Sequence, residues 1–439
     1  MSAPARREET RLREFPAEES WALEQDAADQ VAWARAEFEL PPGPDGRPLV
    51  YLSGNSLGLM PRAARGLVAR ELDDWARLGV EAHLEGRTPW YSYHERLREP
   101  LARLLGAAPD EVVAMNSLTV NLHLMLVSFF RPAGARCRIL IEDGAFPSDR
   151  YAVVSHLESR GLDPADALLV ARPRAGEAVL RTEDLEALLA ERGAELALVL
   201  LGGVHYYTGQ LLEMARIARA ARRAGAAVGF DLAHAVGNAE LQLHDWDVDF
   251  AVWCSYKYLN GGPGAVGGAF VHARHARDLG RPRYAGWWGN DPRTRFEMHR
   301  NTAFVPVPGA DGWQLSNPPI LSMAPLRAAL DLFDRAGLAA LRAKSERLTG
   351  YLEHLVERLP GGGGAAELLT PRDPAQRGCQ LSLRLGPRTR AVVEGLRARG
   401  VVADFREPDV IRLAPTPLYN TFHEVWRTGR MLSELLRPE

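Results

Sequence analysis

The sequence predicts an α/β protein: a large domain on a mainly parallel sheet covered by helices, then a smaller α/β C-terminal domain. Three observations predict it. From about residue 90 to 275, short apolar runs alternate with helical patterns, as strands buried on both faces and joined by helices do. The 439 residues, 46% hydrophobic and 25% charged, suffice for one large domain and a smaller one. Beyond a Gly-rich stretch at 361–364, strand and helix patterns resume on a shorter scale.

Residues 1–48 are charged and then Pro/Gly-rich at PPGPDGRP, an N-terminal arm of helix and loop. Residues 49–90 are assigned to the small domain. There YLSGNSLGLMP (51–61) reads as a short strand running into a turn, and a helix follows from about Pro61 to Leu78, with Pro61 in its first turn. The large domain spans 91–317, with strands expected in EVVAMN (111–116), RILIE (138–142), LALVLLGGV (196–204), AAVGFD (226–231), DFAVWC (249–254) and AVGGAFV (265–271). EMARIARAARRAG (213–225) has helical periodicity and ends at Gly. Residues 281–317, rich in Pro, Gly, Trp and Arg, read as a long functional loop. The small domain resumes at 318–439: two helical stretches over about 320–360, the Gly-rich loop, strand CQLSLRL (379–385), a helix to Arg399, strands GVVADFR (400–406) and VIRLAP (410–415), and a final helix.

Composition excludes several classes. The net charge is −3 and the pI about 6.5, with arginines interleaved among Glu and Asp, so neither nucleic acid nor a membrane is expected as partner. The longest apolar stretch, around Leu122 to Phe130, is too short to span a bilayer, and the N-terminal residues have no apolar signal core. A soluble, cytoplasmic protein is expected. Cys137, Cys254 and Cys379 are few and far apart, which points to neither a disulfide framework nor a metal site.

The chain has only two lysines, Lys257 and Lys344. Arginine cannot replace lysine where an amine must act as nucleophile, because guanidinium keeps its proton. Lys344 lies in an amphipathic helical pattern with Leu341, Leu348, Leu352 and Leu355, and is expected on the surface. Lys257 directly follows an apolar strand, between aromatic residues and a Gly-rich turn. Asp231 ends an earlier strand and His234 follows it by three residues. A carboxylate at one strand end and a lysine after a later strand suit pyridoxal 5′-phosphate (PLP), which needs an amine for its aldehyde and a carboxylate beside its ring nitrogen. Ligands of such sheets bind beyond the carboxyl ends of the strands. Cys254, just before this segment, reads as buried filler.

The segments SLTVNLHL, AFPSD, GVHYYTGQ, GFDLAHAVGN, CSYKYLN, LSNPPI, RGCQLSL and IRLAPTPLYNTFHE, in this order, resemble kynureninase, a fold-type I PLP-dependent family with an aminotransferase-like fold. The resemblance runs from YLSGNSLG to the C-terminal helix. It implies hydrolysis of 3-hydroxy-L-kynurenine or L-kynurenine to 3-hydroxyanthranilate or anthranilate and L-alanine. It also implies the kynurenine pathway of tryptophan catabolism, which feeds NAD biosynthesis, and a homodimer with active sites at the subunit interface. Lys257 would hold the cofactor as a Schiff base and move protons, Asp231 would pair with the ring nitrogen, and Phe146 would stack on the ring. Ser148, Asp149 and His234 would lie beside the cofactor; Leu118, Thr119, Tyr256 and Trp287 would bind phosphate, with Tyr256 also an acid for the ketone. Gly202 stands near the cofactor, where some relatives carry a serine. Arg412, helped by Asn55, would clamp the substrate carboxylate. His83, Ser316 and Asn317 match the aryl-ring positions of the branch preferring 3-hydroxykynurenine, with Asn317 also near the cofactor. The competing reading is a cysteine desulfurase-like or other β-eliminating PLP lyase, which would want a reactive cysteine on a mobile loop.

Overall fold

The computed structural model describes residues 15–276, 278–300, 303–360 and 366–437. The expected Gly-rich loop at 361–364 and residues 1–14 of the arm lie outside them. The central sheet has seven strands in the order Val112–Ala114, Gly268–Val271, Phe250–Trp253, Ala227–Asp231, Leu196–Gly202, Arg138–Glu142, Leu168–Ala171. Gly268–Val271 alone runs against the others. Six of these strands fall in the predicted apolar runs. The edge strand Leu168–Ala171 was not expected; it is four residues long and largely half-buried, so it lacks the long apolar run that marks its neighbours.

Successive residues of a strand face opposite sides of the sheet. Leu198 and Leu200 accordingly join one apolar cluster, with Ile139, Ile141 and Phe250, while Val199 and Leu201 join the other, with Leu140, Val228 and Trp253. Both faces are covered, which is why these strands read as continuous apolar runs. Glycine within them makes room for large rings: a Cβ on Gly229 would lie 2.1 Å from the Phe250 ring, and one on Gly268 2.1 Å from that of Trp253. Helix Met214–Arg223 buries Met214, Ile217, Ala218 and Ala221, the single face its spacing predicts.

The C-terminal part holds a four-stranded antiparallel sheet in the order Asp404–Arg406, Val410–Leu413, Leu381–Arg384, Glu367–Leu368. Val50–Tyr51 pairs in parallel with Val401–Val402, and Val50 and Leu52 belong to the same apolar cluster as Leu381, Ile411 and Val425. Helix Arg62–Leu78 starts one residue later than expected, since Pro61 is extended (ψ 135°) and caps it. It packs on helix Ile320–Ala336.

The first described helix, Glu19–Ala27, lies against the last, Phe422–Leu435. The Asp26 carboxylate accepts the Phe422 and His423 N–H groups at 2.6 and 3.1 Å, capping that helix from outside. Asp29 pairs with Lys344 Nζ at 2.7 Å. Lys344 is therefore buried, 6% exposed, and the expected surface position is corrected. Helical periodicity places Lys344 beside an apolar face; it does not reveal that a distant segment covers that side and brings a carboxylate.

Candidate active site

The carboxyl ends of the parallel strands open onto one cavity. Its lining includes Leu118, Thr119, Phe146, Asp149, Gly202, Asp231, His234, Tyr256 and Lys257, nine of the sequence-predicted residues. Each arrives from the end of a strand or the start of a helix. Asp231 ends Ala227–Asp231, and its carboxylate accepts the Ala233 N–H at 2.7 Å, which fixes the turn carrying His234. Lys257 follows Phe250–Trp253 and is 8% exposed. Its Nζ lies 3.0 Å from His234 Nε2 and 5.6 Å from the centre of the Phe146 ring. Burial first, and then the neighbouring Lys257 charge, hold His234 well below its ordinary pKa. A neutral imidazole can accept a hydrogen bond from the lysine.

Helix Leu118–Phe129 begins at the cavity, and no side chain caps its N-terminal turn. Its first N–H groups and positive dipole end form a ready anion site. Thr119 Oγ1 and Ser148 Oγ lie 2.9 Å apart and tie this helix to Pro147–Ser159. Asp149, in the first turn of the latter, is held well above its ordinary pKa by burial and then by Asp231. The Tyr256 phenol is pushed up, chiefly by burial, so it keeps its proton.

Arg412 and Asn55 meet at one point. Arg412 Nη1 and Gln380 Nε2 both donate to the Tyr206 carbonyl, at 2.7 and 3.0 Å, and Asn55 Nδ2 donates to Gln380 Oε1 at 2.9 Å. Asp404 holds the other end of the Arg412 guanidinium at 2.5 Å.

Trp287, His83, Ser316 and Asn317 do not line this cavity within one chain, and neither do Ser148, Asn55 and Arg412, which reach it only through residues that do. Trp287 sits in a short turn against Trp288; His83 Nδ1 lies 3.0 Å from the Val80 carbonyl; Ser316 and Asn317 are exposed. Glu142, Val204, His205, Tyr206 and Ala233 line the cavity and were not singled out as site residues. Glu142 ends its strand as Asp231 ends its own, so the strand-end signal that found Asp231 was present for Glu142 too.

The turn at 53–58 braces the lysine. Gly58 donates its N–H to the Tyr256 carbonyl at 2.8 Å, and a Cβ on Gly58 would lie 2.3 Å from the Lys257 carbonyl oxygen. That neighbour is backbone and cannot swing away. Gly58→Ala is expected to cost about 1–3 kcal/mol by overpacking and to weaken cofactor binding. Thermal unfolding and a PLP titration check this; unchanged affinity would show that the loop yields.

The cavity fits PLP on chain chemistry alone. It combines an amine, a strand-end carboxylate, an exposed aromatic face and an uncapped helix N-terminus, and two buried polar atoms there, Asp149 Oδ1 and His234 Nδ1, have no partner among the described residues.

Comparison with known proteins agrees. Residues 83–367 match the family described as aminotransferase class-V, and residues 341–432 the kynureninase C-terminal domain. Solved structures with the same fold include the cysteine desulfurase CsdA of Escherichia coli (TM-score 0.74, 17% identity, 93% of this chain and 98% of that one). Another is the cystine C–S lyase C-DES (TM-score 0.72, 20% identity, 88% and 97%). Fold and site define an enzyme of the fold-type I, PLP-dependent class. Among curated proteins, the chain is 57% identical to a kynureninase of Myxococcus xanthus over 95% of this chain and 97% of that protein. It is 58% identical to one of Xanthomonas campestris over 93% and 95%. The chain belongs to the kynureninase family, whose enzymes hydrolyse kynurenine with PLP.

Proposed function

We propose that the chain hydrolyses 3-hydroxy-L-kynurenine in preference to L-kynurenine, as a cytoplasmic homodimer in tryptophan catabolism on the route that feeds NAD biosynthesis. The observation that carries the reaction is the single cavity joining Lys257, Asp231, Phe146 and the Leu118 helix start in a chain of this family.

Lys257 supplies the amine that holds the cofactor aldehyde and, once released by substrate, moves a proton at the substrate α-carbon. Asp231 would face the ring nitrogen, Phe146 would cover the ring, and Asp149, Ser148, His234 and Asn317 would complete its surroundings. The N–H groups of Leu118 and Thr119, with Tyr256 and Trp287, would hold the phosphate. Bound there, PLP supplies an electron sink for bonds broken in the substrate's amino-acid portion. Arg412 receives the α-carboxylate, with Asn55 behind it; its buried Nε has no partner among the described residues. Water adds to the aryl ketone while Tyr256 protonates its oxygen; the bond between the ketone carbon and the methylene then breaks, the ketone carbon leaves with the ring as a carboxylic acid, and the methylene takes up a proton to become the methyl of alanine.

The aryl residues His83, Ser316 and Asn317, with Trp287, act across a subunit boundary in this reading. Support comes from exposed apolar side chains near them in sequence: Trp75, Val80, Leu84, Tyr284 and Phe296 are 60–75% exposed. The lyase alternative has less support. Burial pushes the Cys254 thiol up to about 11 and the Cys379 thiol up to about 12, which suppresses the thiolate such chemistry needs, and Cys137 is half-buried beside a strand.

His83 and Asn317 can hydrogen-bond a 3-hydroxyl, and leaving such groups unpaired costs about 1–3 kcal/mol each, roughly a 10- to 100-fold preference. Side-by-side kcat/KM values for the two substrates test the proposal, and His83→Phe should move the ratio toward kynurenine. A wild-type preference for kynurenine would overturn the specificity reading while leaving the reaction intact.

A further inference from the structure

Glu142 lines the Lys257 cavity, yet no step above uses it. It ends strand Arg138–Glu142 and is 6% exposed. Its Oε1 accepts the Gly202 N–H at 3.0 Å. Gly202 ends the neighbouring strand and stands in register with Asp231 on the next one. Glu142 and Asp231 thus flank one backbone unit at the strand ends. The fit is close: a Cβ on Gly202 would lie 3.0 Å from Glu142 Oε1.

The charges around this unit do not balance if every acid ionises. Three carboxyl groups share the cavity: Glu142, Asp149 and Asp231. The facing cation is Lys257. His234 and His205 are both held neutral chiefly by burial, and the Tyr206 and Tyr256 phenols complete the titratable lining. Asp143, on the turn after Glu142, is paired with Arg172 at 2.7 Å. Three carboxylates against one ammonium in a buried volume is an unfavourable state, so protons remain on the cluster. Burial, with a smaller push from Asp231, raises the Glu142 carboxyl to about 7, so it changes charge around neutral pH.

We propose that Glu142 is a positioning residue for the cofactor: a carboxyl that gains and loses a proton beside Asp231 and so sets how firmly the ring nitrogen keeps its own proton. The proposal rests on Asp231 being the partner of that nitrogen. The sign follows from charge. Ionised Glu142 adds negative potential beside Asp231 and favours the protonated ring; a protonated Glu142 withdraws that support.

The test uses the holoenzyme loaded with PLP labelled with 15N at the ring nitrogen, and follows its chemical shift from pH 6 to 9. The wild type should show a step toward the protonated-nitrogen shift as pH rises through about 7. Glu142→Gln keeps an oxygen for the Gly202 N–H but cannot ionise, and should lose the step; Glu142→Asp should retain one. A step surviving in Glu142→Gln overturns the proposal, as does a flat wild-type profile, which needs no variant to fold. Asp231→Asn separates the underlying reading: it should move the shift toward the unprotonated ring at every pH. If it does not, the Asp231 assignment fails independently of Glu142.

Discussion

Lys257→Ala is expected to yield a folded protein with no visible cofactor–lysine absorbance and turnover lowered by about 10³-fold or more. The size of the effect follows from the absence of a substitute. The only other lysine, Lys344, is tied to Asp29 outside the cavity. The many arginines do not release a proton to become nucleophiles. His234, 3.0 Å from Nζ and held neutral, could move a proton but cannot replace a primary amine that condenses with an aldehyde. The substitution removes a side chain that ends in open cavity space, so the fold should survive. Absorbance after PLP reconstitution and single-turnover rates check the expectation; a wild-type band in the variant would refute the cofactor assignment.

The second large effect is on stability. Glu353 and Arg377 form an ion pair at 2.6 Å with both side chains 2% exposed, and Arg372 joins the same carboxylate at 2.7 Å. Removing one partner of such a pair leaves the other charge buried, at a cost of about 3–5 kcal/mol. Glu353→Ala should therefore lower unfolding free energy by that amount, measured by urea titration. The loss should also reach the site. Arg377 precedes Gly378 and Cys379, and Asn238 takes the Cys379 N–H at 2.9 Å while donating to the His234 carbonyl at 2.8 Å. PLP affinity should fall with stability. A loss below about 1 kcal/mol would mean that Arg377 finds water or another acceptor.

The sequence revealed what local chemistry determines. Strands buried on both faces must be apolar throughout, so six of the seven central strands were visible as runs. Lys257 stood out as one of two lysines, set between an apolar strand and a Gly-rich turn, and Asp231 gained its meaning from standing at an earlier strand end in the same order. The partner of Lys344 was not visible, because Asp29 reaches it from a segment more than three hundred residues earlier. Glu142 was passed over although it ends its strand, since nothing local says that Gly202 and Asp231 stand beside it. His83, Ser316, Asn317 and Trp287 were legible only through family resemblance, and a single chain does not bring them to the cavity.

The Asp26 cap on the last helix has a consequence for how the chain is made. Asp26 and Phe422 are separated by 396 residues. At about 5–20 residues per second, the ribosome takes roughly 20–80 s to supply the second after the first. For most of that interval helix Glu19–Ala27 lacks helix Leu338–Glu357, whose Tyr351 ring Trp21 meets at 4.7 Å, and throughout it lacks helix Phe422–Leu435, while the large sheet, whose strands all lie between residues 112 and 271, can already assemble. A late event of biogenesis should then be the clasp of helix Glu19–Ala27 by helix Phe422–Leu435, one that holds together the domain carrying Arg412. Nascent chains stalled before residue 338 should expose the early helix to proteases and chaperones, with the central sheet already protected.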